Sequence, residues 1–193
     1  MDLQTRVKRI LTDPAVEWPV IAGESSDVGS LLRQYAAPLS AIPAICAWIG
    51  MRGLGGSTLL GGYRIGFTSG LANMIVSWVF ALAGAWVAAL VIEKLAPNFA
   101  SRGNTAQALK LVVYASTPIW LAGVFYLIPA LGVLTLVAAL YALYLFYLGL
   151  PIVMHTPSDK VVPYMLVSAL AVIVVMIVLR ACAAMISSAS VPI

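Results

Sequence analysis

The sequence has 193 residues, of which 62% are hydrophobic and only 9% are charged, and its mean hydropathy is +1.02. So few polar side chains cannot cover a water-soluble globule, which excludes that class of protein and indicates a lipid bilayer as the environment. The formal net charge of +4 is explained by cations that flank the apolar segments, so it does not indicate nucleic acid as a partner.

Residues 1–34 form a polar leader, which we expect to lie in the cytoplasm. Leu3, Val7 and Ile10 share one helical face, and Asp13-Pro14 is a signal that ends a helix. This pattern predicts a short amphipathic helix in the membrane interface, with a frayed tail of accidental periodicity as the alternative. The residues predicted at the interface, including one later tyrosine in an aromatic belt, are Arg6, Lys8, Arg9, Trp18 and Tyr147.

Long intervals without charge predict membrane-spanning helices, each of which needs roughly 20 apolar residues. The interval from Lys110 to His155 is too long for one span, and Pro129 marks the position where it turns back. The fold class is therefore an all-α, polytopic membrane protein with a five-helix transmembrane bundle over residues 35–187 and a short external tail, 188–193. The predicted spans are 35–51, 67–92, 111–128, 130–150 and 164–186.

The first of these spans is the weakest, because it is short and contains Pro38 and Pro43. The alternative is a four-span protein in which this segment is re-entrant or lies on the surface. With Arg180 left out of the count, five spans place eight cations on one side and two on the other, whereas four spans give six against four. Since cations concentrate on the cytoplasmic side, we predict five spans, with the amino terminus in the cytoplasm and the carboxyl terminus outside.

The second predicted span carries a seam of small residues along one helical face. Small residues let another helix backbone approach closely, and amide or hydroxyl groups can hydrogen bond across such a contact. The seam therefore predicts helix packing, with the polar wall of a conduit as the alternative. Its members are Gly66, Gly70, Asn73, Ser77, Ala81, Gly84 and Ala88.

Three tyrosines share one face of the fourth predicted span. Tyr147 lies near the cytoplasmic end, but Tyr141 lies deeper and its phenol needs a hydrogen-bond partner. We predict that Ser77 lies at the level of Tyr141, and Ser116 or Thr117 at the level of Tyr144. The predicted intramembrane polar cluster, which lines a permeation path in the alternative interpretation, is Asn73, Ser77, Ser116, Thr117, Tyr141 and Tyr144.

The residues of catalysis and metal binding are scarce. The chain has one histidine, His155, with no acid or nucleophile placed to assist it, and too few His and Cys residues for a metal site. Cys46 and Cys182 are interpreted as apolar fillers, with an oxidised pair as the alternative. We therefore predict no catalytic, cofactor-binding or metal-binding residues, and no enzyme activity.

Several segments carry a resemblance to a known family: "LTDPAVEWPVIAGE", "QALKLVVYASTPIWLAGVFYLIPALG" and "LYALYLFYLGLPIVMHTPSDKVVPY". They resemble the bacterial branch of the Yip-domain family, small five-span proteins related to the eukaryotic Rab-interacting Yip proteins. The resemblance implies a five-helix membrane bundle with a cytoplasmic amino terminus. A Rab GTPase is not expected as a partner, because a bacterial cell lacks that trafficking system. The most specific matching positions are Tyr114, Thr117, Pro118, Ile128, Pro129, Tyr141, Tyr144, Gly149, Pro157 and Lys160.

The expected function is association. We expect a multi-pass protein of the bacterial inner membrane that binds itself, other membrane proteins and lipid, and that needs no cofactor. The alternative is a channel or transporter for a small solute, lined by Asn73, Ser77, Tyr141 and Tyr144. The sequence does not specify the partner, the solute or the oligomeric state.

Overall fold

The structure is a computed structural model that describes residues 2–25, 27–53 and 67–189. All regular elements within these ranges are helical. The α-helices are Leu3–Thr12 (α1), Pro14–Gly23 (α2), Val28–Leu31 (α3), Ala37–Gly53 (α4), Phe67–Leu95 (α5), Thr105–Ala115 (α6), Thr117–Ala122 (α7), Thr135–Val153 (α8) and Val161–Ala189 (α9). A π-helical turn, Leu32–Ala36, joins α3 to α4, and 3-10 turns occur at Ala96–Phe99, Gly123–Leu127 and Pro129–Leu134.

Three helical stretches of the described residues are long and apolar enough to cross a membrane: Gly70–Phe99, Thr105–Leu127 and Leu131–Val153. A shorter apolar helix covers Val161–Val175. These stretches confirm the predicted helical membrane protein. The count of five spans stays a prediction, as do the orientation of the termini and the external tail, most of which lies outside the described residues.

Helix α4, which covers most of the weakest predicted span, packs closely beside the stretch Thr105–Leu127. A Cβ atom added at Gly123 would lie 2.5 Å from Cβ of Pro43, and one added at Gly50 would lie 2.1 Å from the carbonyl oxygen of Tyr126. Only glycine fits at these two positions. Because the contacts advance along both segments in the same order, α4 runs parallel to Thr105–Leu127.

The chain changes direction at the predicted turn. Ile128 has extended backbone angles (φ −119°, ψ 103°) between two 3-10 turns, and Pro129 begins the second of these. Proline disfavours helical angles at the residue before it, which interrupts the helix at Ile128. Helix α8 then returns along α6 and α7.

Hydrogen bonds join the helices at the other end of the bundle. The Tyr164 hydroxyl donates to the carbonyl of Ile92 at 2.5 Å, and the Thr105 hydroxyl donates to Oε2 of Glu93 at 2.6 Å. These bonds tie α5 to α9 and to α6.

The leader folds onto the bundle. Helix α1 ends at Thr12, directly before the Asp13-Pro14 pair, and Pro14 begins α2. A Cβ atom added at Gly149 of α8 would lie 2.8 Å from Cζ2 of Trp18, so this glycine makes room for the indole. Trp18 is fully buried. The indole thus packs between helices rather than against lipid, and its level relative to the headgroups stays a prediction.

Candidate functional site

An ionic cluster around Arg6 joins the helices of the leader. Its Nη1 atom donates to Oε1 of Glu17 at 2.5 Å, and its Nη2 atom donates to Oε1 of Glu24. The side chains of Arg6 and Glu17 are 5% and 2% exposed, and that of Glu24 is 39% exposed. Buried charges are stable in this setting only when they are paired, so the cluster holds α1 and α2 in one arrangement.

The guanidinium of Arg6 remains charged in this cluster. Burial alone lowers the pKa of Arg6, but the hydrogen bond to Glu24 and the negative charges of Glu24 and Glu17 outweigh burial and raise the pKa above its ordinary value. The guanidinium therefore contacts carboxylates of the protein rather than lipid, and its level relative to the membrane interface stays a prediction. Its two carboxylate partners hold it inside the protein.

Lys110 of α6 fastens the end of α2. Its Nζ atom donates to the carbonyl oxygens of Ile21, at 3.1 Å, and of Glu24, and the residue is 4% exposed. The last carbonyls of a helix lack partners within the helix, and a cation is favourable at that end. A single lysine therefore satisfies two such groups and attaches the leader to the bundle.

Aromatic rings cover the cluster from the bundle side. The Cζ atom of Arg6 lies 5.9 Å from the ring centroid of Tyr114, within the range of a cation–π contact. The ring of Tyr35 lies 4.6 Å from that of Tyr114, and the hydroxyl of Tyr35 bonds to that of Thr117 at 2.9 Å. Tyr114 is 5% exposed, and its hydroxyl makes no hydrogen bond within the described part of the chain.

A polar cavity of about 280 Å³ lies between the leader and these rings. Asp2 and Gln34, two of its lining residues, are exposed, so the cavity opens to the surface of the protein. The polar groups and rings that line it belong to Asp2, Arg6, Glu24, Ser30, Gln34, Tyr35 and Tyr114. The cavity combines paired charge, free carboxylate oxygens and a free phenol.

The predicted seam of small residues divides into two parts in the structure. Gly70, Gly84 and Ala88 are buried, and Ala81 is half-buried. Asn73 and Ser77 are exposed on the outer surface of α5. The seam thus packs partly within the chain and is partly open; Gly66 lies outside the described residues.

The six residues of the predicted polar cluster do not line one cavity. The Tyr141 hydroxyl donates to the backbone carbonyl of Leu11 at 2.7 Å. Its hydrogen-bond partner is therefore in the leader and is not Ser77. Tyr144 is 49% exposed, and Thr117 bonds to Tyr35. The structure corrects the predicted pairings, because the leader supplies a backbone acceptor that periodicity within the spans does not reveal.

Ser116 borders a separate apolar groove between α5, α6, α8 and α9, with a volume of about 390 Å³. Ser168, which is 1% exposed, also borders it, and its hydroxyl has no hydrogen-bond partner in the described residues. The groove otherwise presents apolar side chains, as expected for a surface in contact with acyl chains.

The remaining interfacial residues are exposed. Lys8 and Arg9 lie on the outside of α1, and Tyr147 is 43% exposed on α8. Cys46 is half-buried with a free thiol, and the side chain of Cys182 lies outside the described part of the structure.

Sequence reasoning missed Glu17, Glu24, Lys110 and Tyr35 as members of a site. The available signal was the presence of two acids, Glu17 and Glu24, in a leader interpreted as a basic helix. Their separations from Arg6, 11 and 18 residues, cross a helix boundary, so no single helical periodicity relates them.

These features define a polytopic helical membrane protein whose leader is packed onto its bundle through buried charge. A comparison with known protein families shows that the Yip1 domain matches residues 8–180. The chain therefore belongs to the Yip1 domain family. The resemblance seen in the sequence is thereby confirmed.

Two relatives share one name. Inner membrane protein YohC of Escherichia coli strain K12 is 29% identical over 158 residues, which cover 78% of this chain and 80% of the relative. The protein of that name from Escherichia coli O6:H1 strain CFT073 shows the same values. No solved structure matches this chain.

Proposed function

We propose that this protein acts by association in the bacterial inner membrane, where it binds a second copy of itself or another membrane protein through the outer face of α5 and catalyses no reaction. The observation that carries the proposal is the exposure of Asn73 and Ser77 on that face. The Asn73 side chain makes no hydrogen bond within the described residues, and the Ser77 hydroxyl donates at 2.6 Å to the backbone carbonyl of Asn73.

The surroundings of Asn73 are those of a lipid-facing surface. Val76, Val79 and Phe80 are 50%, 51% and 44% exposed on the same helix. An amide among such side chains has no partner in hydrocarbon, whereas a second helix can supply one. The face of α5 around Asn73 and Ser77, the open part of the seam, therefore favours a protein partner over lipid.

The location and layout are part of the same proposal. The relatives are named inner membrane proteins. The parallel course of α4 and Thr105–Leu127 supports two crossings in one direction, which the five-span layout requires of its first and third spans. That layout has a cytoplasmic amino terminus and an external carboxyl terminus.

The alternative, a solute path lined by tyrosine and polar side chains, has less support. Asn73 and Ser77 face outward on α5, whereas Tyr141 bonds to the leader and Tyr144 is exposed on α8. These four residues lie on separate surfaces of the protein, so they do not form the walls of one conduit.

Site-specific photo-cross-linking in native membranes tests the proposal. A photoreactive residue replaces Asn73 in one variant and Leu140, which is 69% exposed on α8, in a matched control. We expect a discrete protein adduct at position 73 and none at position 140, with the mass identifying a second copy or another membrane protein. Only monomer and lipid adducts at position 73 would remove the support for association.

A second measurement uses the purified chain in detergent. If the partner is a second copy, Asn73→Ala should weaken self-association roughly threefold to thirtyfold, which corresponds to an inter-helix hydrogen bond of about 0.6–2 kcal/mol. Ser77→Ala should have a smaller effect, because its hydroxyl is already bonded within α5.

A further inference from the structure

We propose that the polar cavity between the leader and the bundle binds a primary ammonium group. This site is separate from the α5 face and goes beyond the proposed association. It rests on the charge of the cavity, on a phenol hydroxyl that opens into the cavity without a partner, and on the aromatic rings that line it.

The charge at the cavity favours a cation. Two carboxylates, those of Asp2 and Glu24, line the cavity together with one cation, Arg6, so its described lining carries one more negative than positive charge. Arg6 donates to Glu17 and Glu24, so its charge is already paired with carboxylates of the protein. The excess negative charge is left to attract a positively charged ligand.

Two carboxylates retain free acceptor oxygens. Asp2 precedes α1, but its side chain makes no capping hydrogen bond. Glu24 uses Oε1 for Arg6, while its Oε2 atom makes no hydrogen bond in the described part of the chain. Both residues line the same cavity, so a ligand there meets acceptors from two elements of the leader.

The independent observation is the hydroxyl of Tyr114. Tyr114 is 5% exposed and lines the cavity, yet its hydroxyl has no hydrogen-bond partner among the described residues. The ring is buried while its hydroxyl oxygen stays accessible from the cavity, where a ligand can bond to it. The neighbouring phenol of Tyr35, by contrast, bonds to the hydroxyl of Thr117.

An –NH₃⁺ group has three donors and no acceptor, which matches the oxygens of Asp2, Glu24 and Tyr114. The rings of Tyr35 and Tyr114 add the attraction of aromatic faces for a cation. An anion would be repelled by the carboxylates. A quaternary ammonium has the charge but no N–H donors, so it would leave the three oxygens unsatisfied.

A primary ammonium group can come from a free amine or from the headgroup of phosphatidylethanolamine. The experiment uses the full chain with its purification tag at the carboxyl terminus, because Asp2 lines the cavity. In detergent, calorimetric titration compares ethylammonium with tetramethylammonium. In nanodiscs, thermal unfolding compares phosphatidylethanolamine with phosphatidylcholine, each diluted equally into phosphatidylglycerol.

The variants are Asp2→Asn and Tyr114→Phe, each of which removes an acceptor outside the buried ion pairs. Their matched controls are Asp159→Asn and Tyr144→Phe, whose side chains are exposed elsewhere on the protein. Glu24 is left unchanged, because its loss would deprive Arg6 of a partner.

Saturable binding of ethylammonium, weakened at least about tenfold in both variants and unchanged in the controls, supports a free amine as the ligand. Stabilisation by phosphatidylethanolamine alone, lost in the same variants, supports the lipid headgroup. The proposal is overturned if neither source binds or stabilises, if the quaternary compounds act equally well, or if the variants behave like the wild type.

Discussion

The hydroxyl of Tyr141 and the backbone carbonyl of Leu11 form a hydrogen bond of 2.7 Å between residues 130 positions apart in the sequence. Leu11 lies in the last turn of α1, where carbonyls have no partner within the helix. The Tyr141 hydroxyl of α8 therefore supplies a donor to a carbonyl at the end of α1 and attaches this helix to the bundle.

Removing this hydroxyl tests the attachment. We expect Tyr141→Phe to lower the free energy of unfolding by about 0.5–1.5 kcal/mol, because one hydrogen bond is lost and the Leu11 carbonyl is left without a donor. Unfolding in mixed detergent micelles measures the change, and hydrogen exchange of α1 should increase. Tyr147→Phe, an exposed tyrosine on the same helix, is the control and should be near neutral; equal effects in the two variants would contradict the attachment.

The ionic cluster around Arg6 should contribute more to the stability of the fold than an exposed charge does. Arg6→Gln leaves Glu17 buried without its cation, and we expect a loss of about 3–5 kcal/mol, towards the lower end because Glu24 is 39% exposed and can be solvated. Lys8→Gln, an exposed cation of the same helix, should change stability by less than about 0.5 kcal/mol.

A double substitution separates charge burial from packing at this cluster. Arg6→Leu combined with Glu17→Leu removes both buried charges and should recover a large part of the stability lost in Arg6→Gln, because apolar replacements of a buried pair are often near neutral. A double variant that is less stable than Arg6→Gln would contradict this expectation. It would show that the two side chains stabilise the fold by more than neutralising each other's charge.

The close approach of the leader to α8 depends on Gly149. A Cβ atom there would lie 2.5 Å from Cδ1 of Leu111 and 2.8 Å from Cζ2 of Trp18. Gly149→Ala should therefore destabilise the protein by about 1–3 kcal/mol through overpacking. Gly132→Ala is the matched control, since its nearest atoms are ring carbons of Tyr126 at 3.8 Å; similar melting temperatures for both variants would contradict the close contact.

The five-span layout predicts opposite locations for two reporter fusions. Alkaline phosphatase fused at the carboxyl terminus should be active, since that end is predicted outside, whereas fusion within the loop at 100–104 should be inactive because that loop is predicted in the cytoplasm. Green fluorescent protein at the same two points should give the reverse pattern. An inactive phosphatase at the carboxyl terminus would favour an even number of crossings.

Local chemistry explains what could be predicted before the tertiary structure. The membrane class follows from composition, and the turn at Ile128 follows from the proline after it. The end of α1 before Asp13-Pro14 has the same kind of cause. Each of these features depends on neighbours within a few residues, which is the range over which a single sequence is informative.

The candidate site could not be predicted in this way. Arg6 and Trp18 were assigned to the interface because a basic, amphipathic segment commonly lies there. Their burial depends on Glu24, on Lys110 and on the missing side chain of Gly149, which come from different parts of the chain. Contacts between such distant residues leave no periodic pattern or fixed spacing in the sequence from which they could be predicted.

The sequence by itself determined that this is a helical membrane protein of the Yip1 domain family, because hydrophobicity, charge distribution and local motifs are properties of the chain alone. Only the tertiary structure decided that the leader is part of the bundle and encloses a polar cavity. The physical reason is that a buried charge is stable where distant groups converge to pair with it, and that convergence is set by how the helices pack.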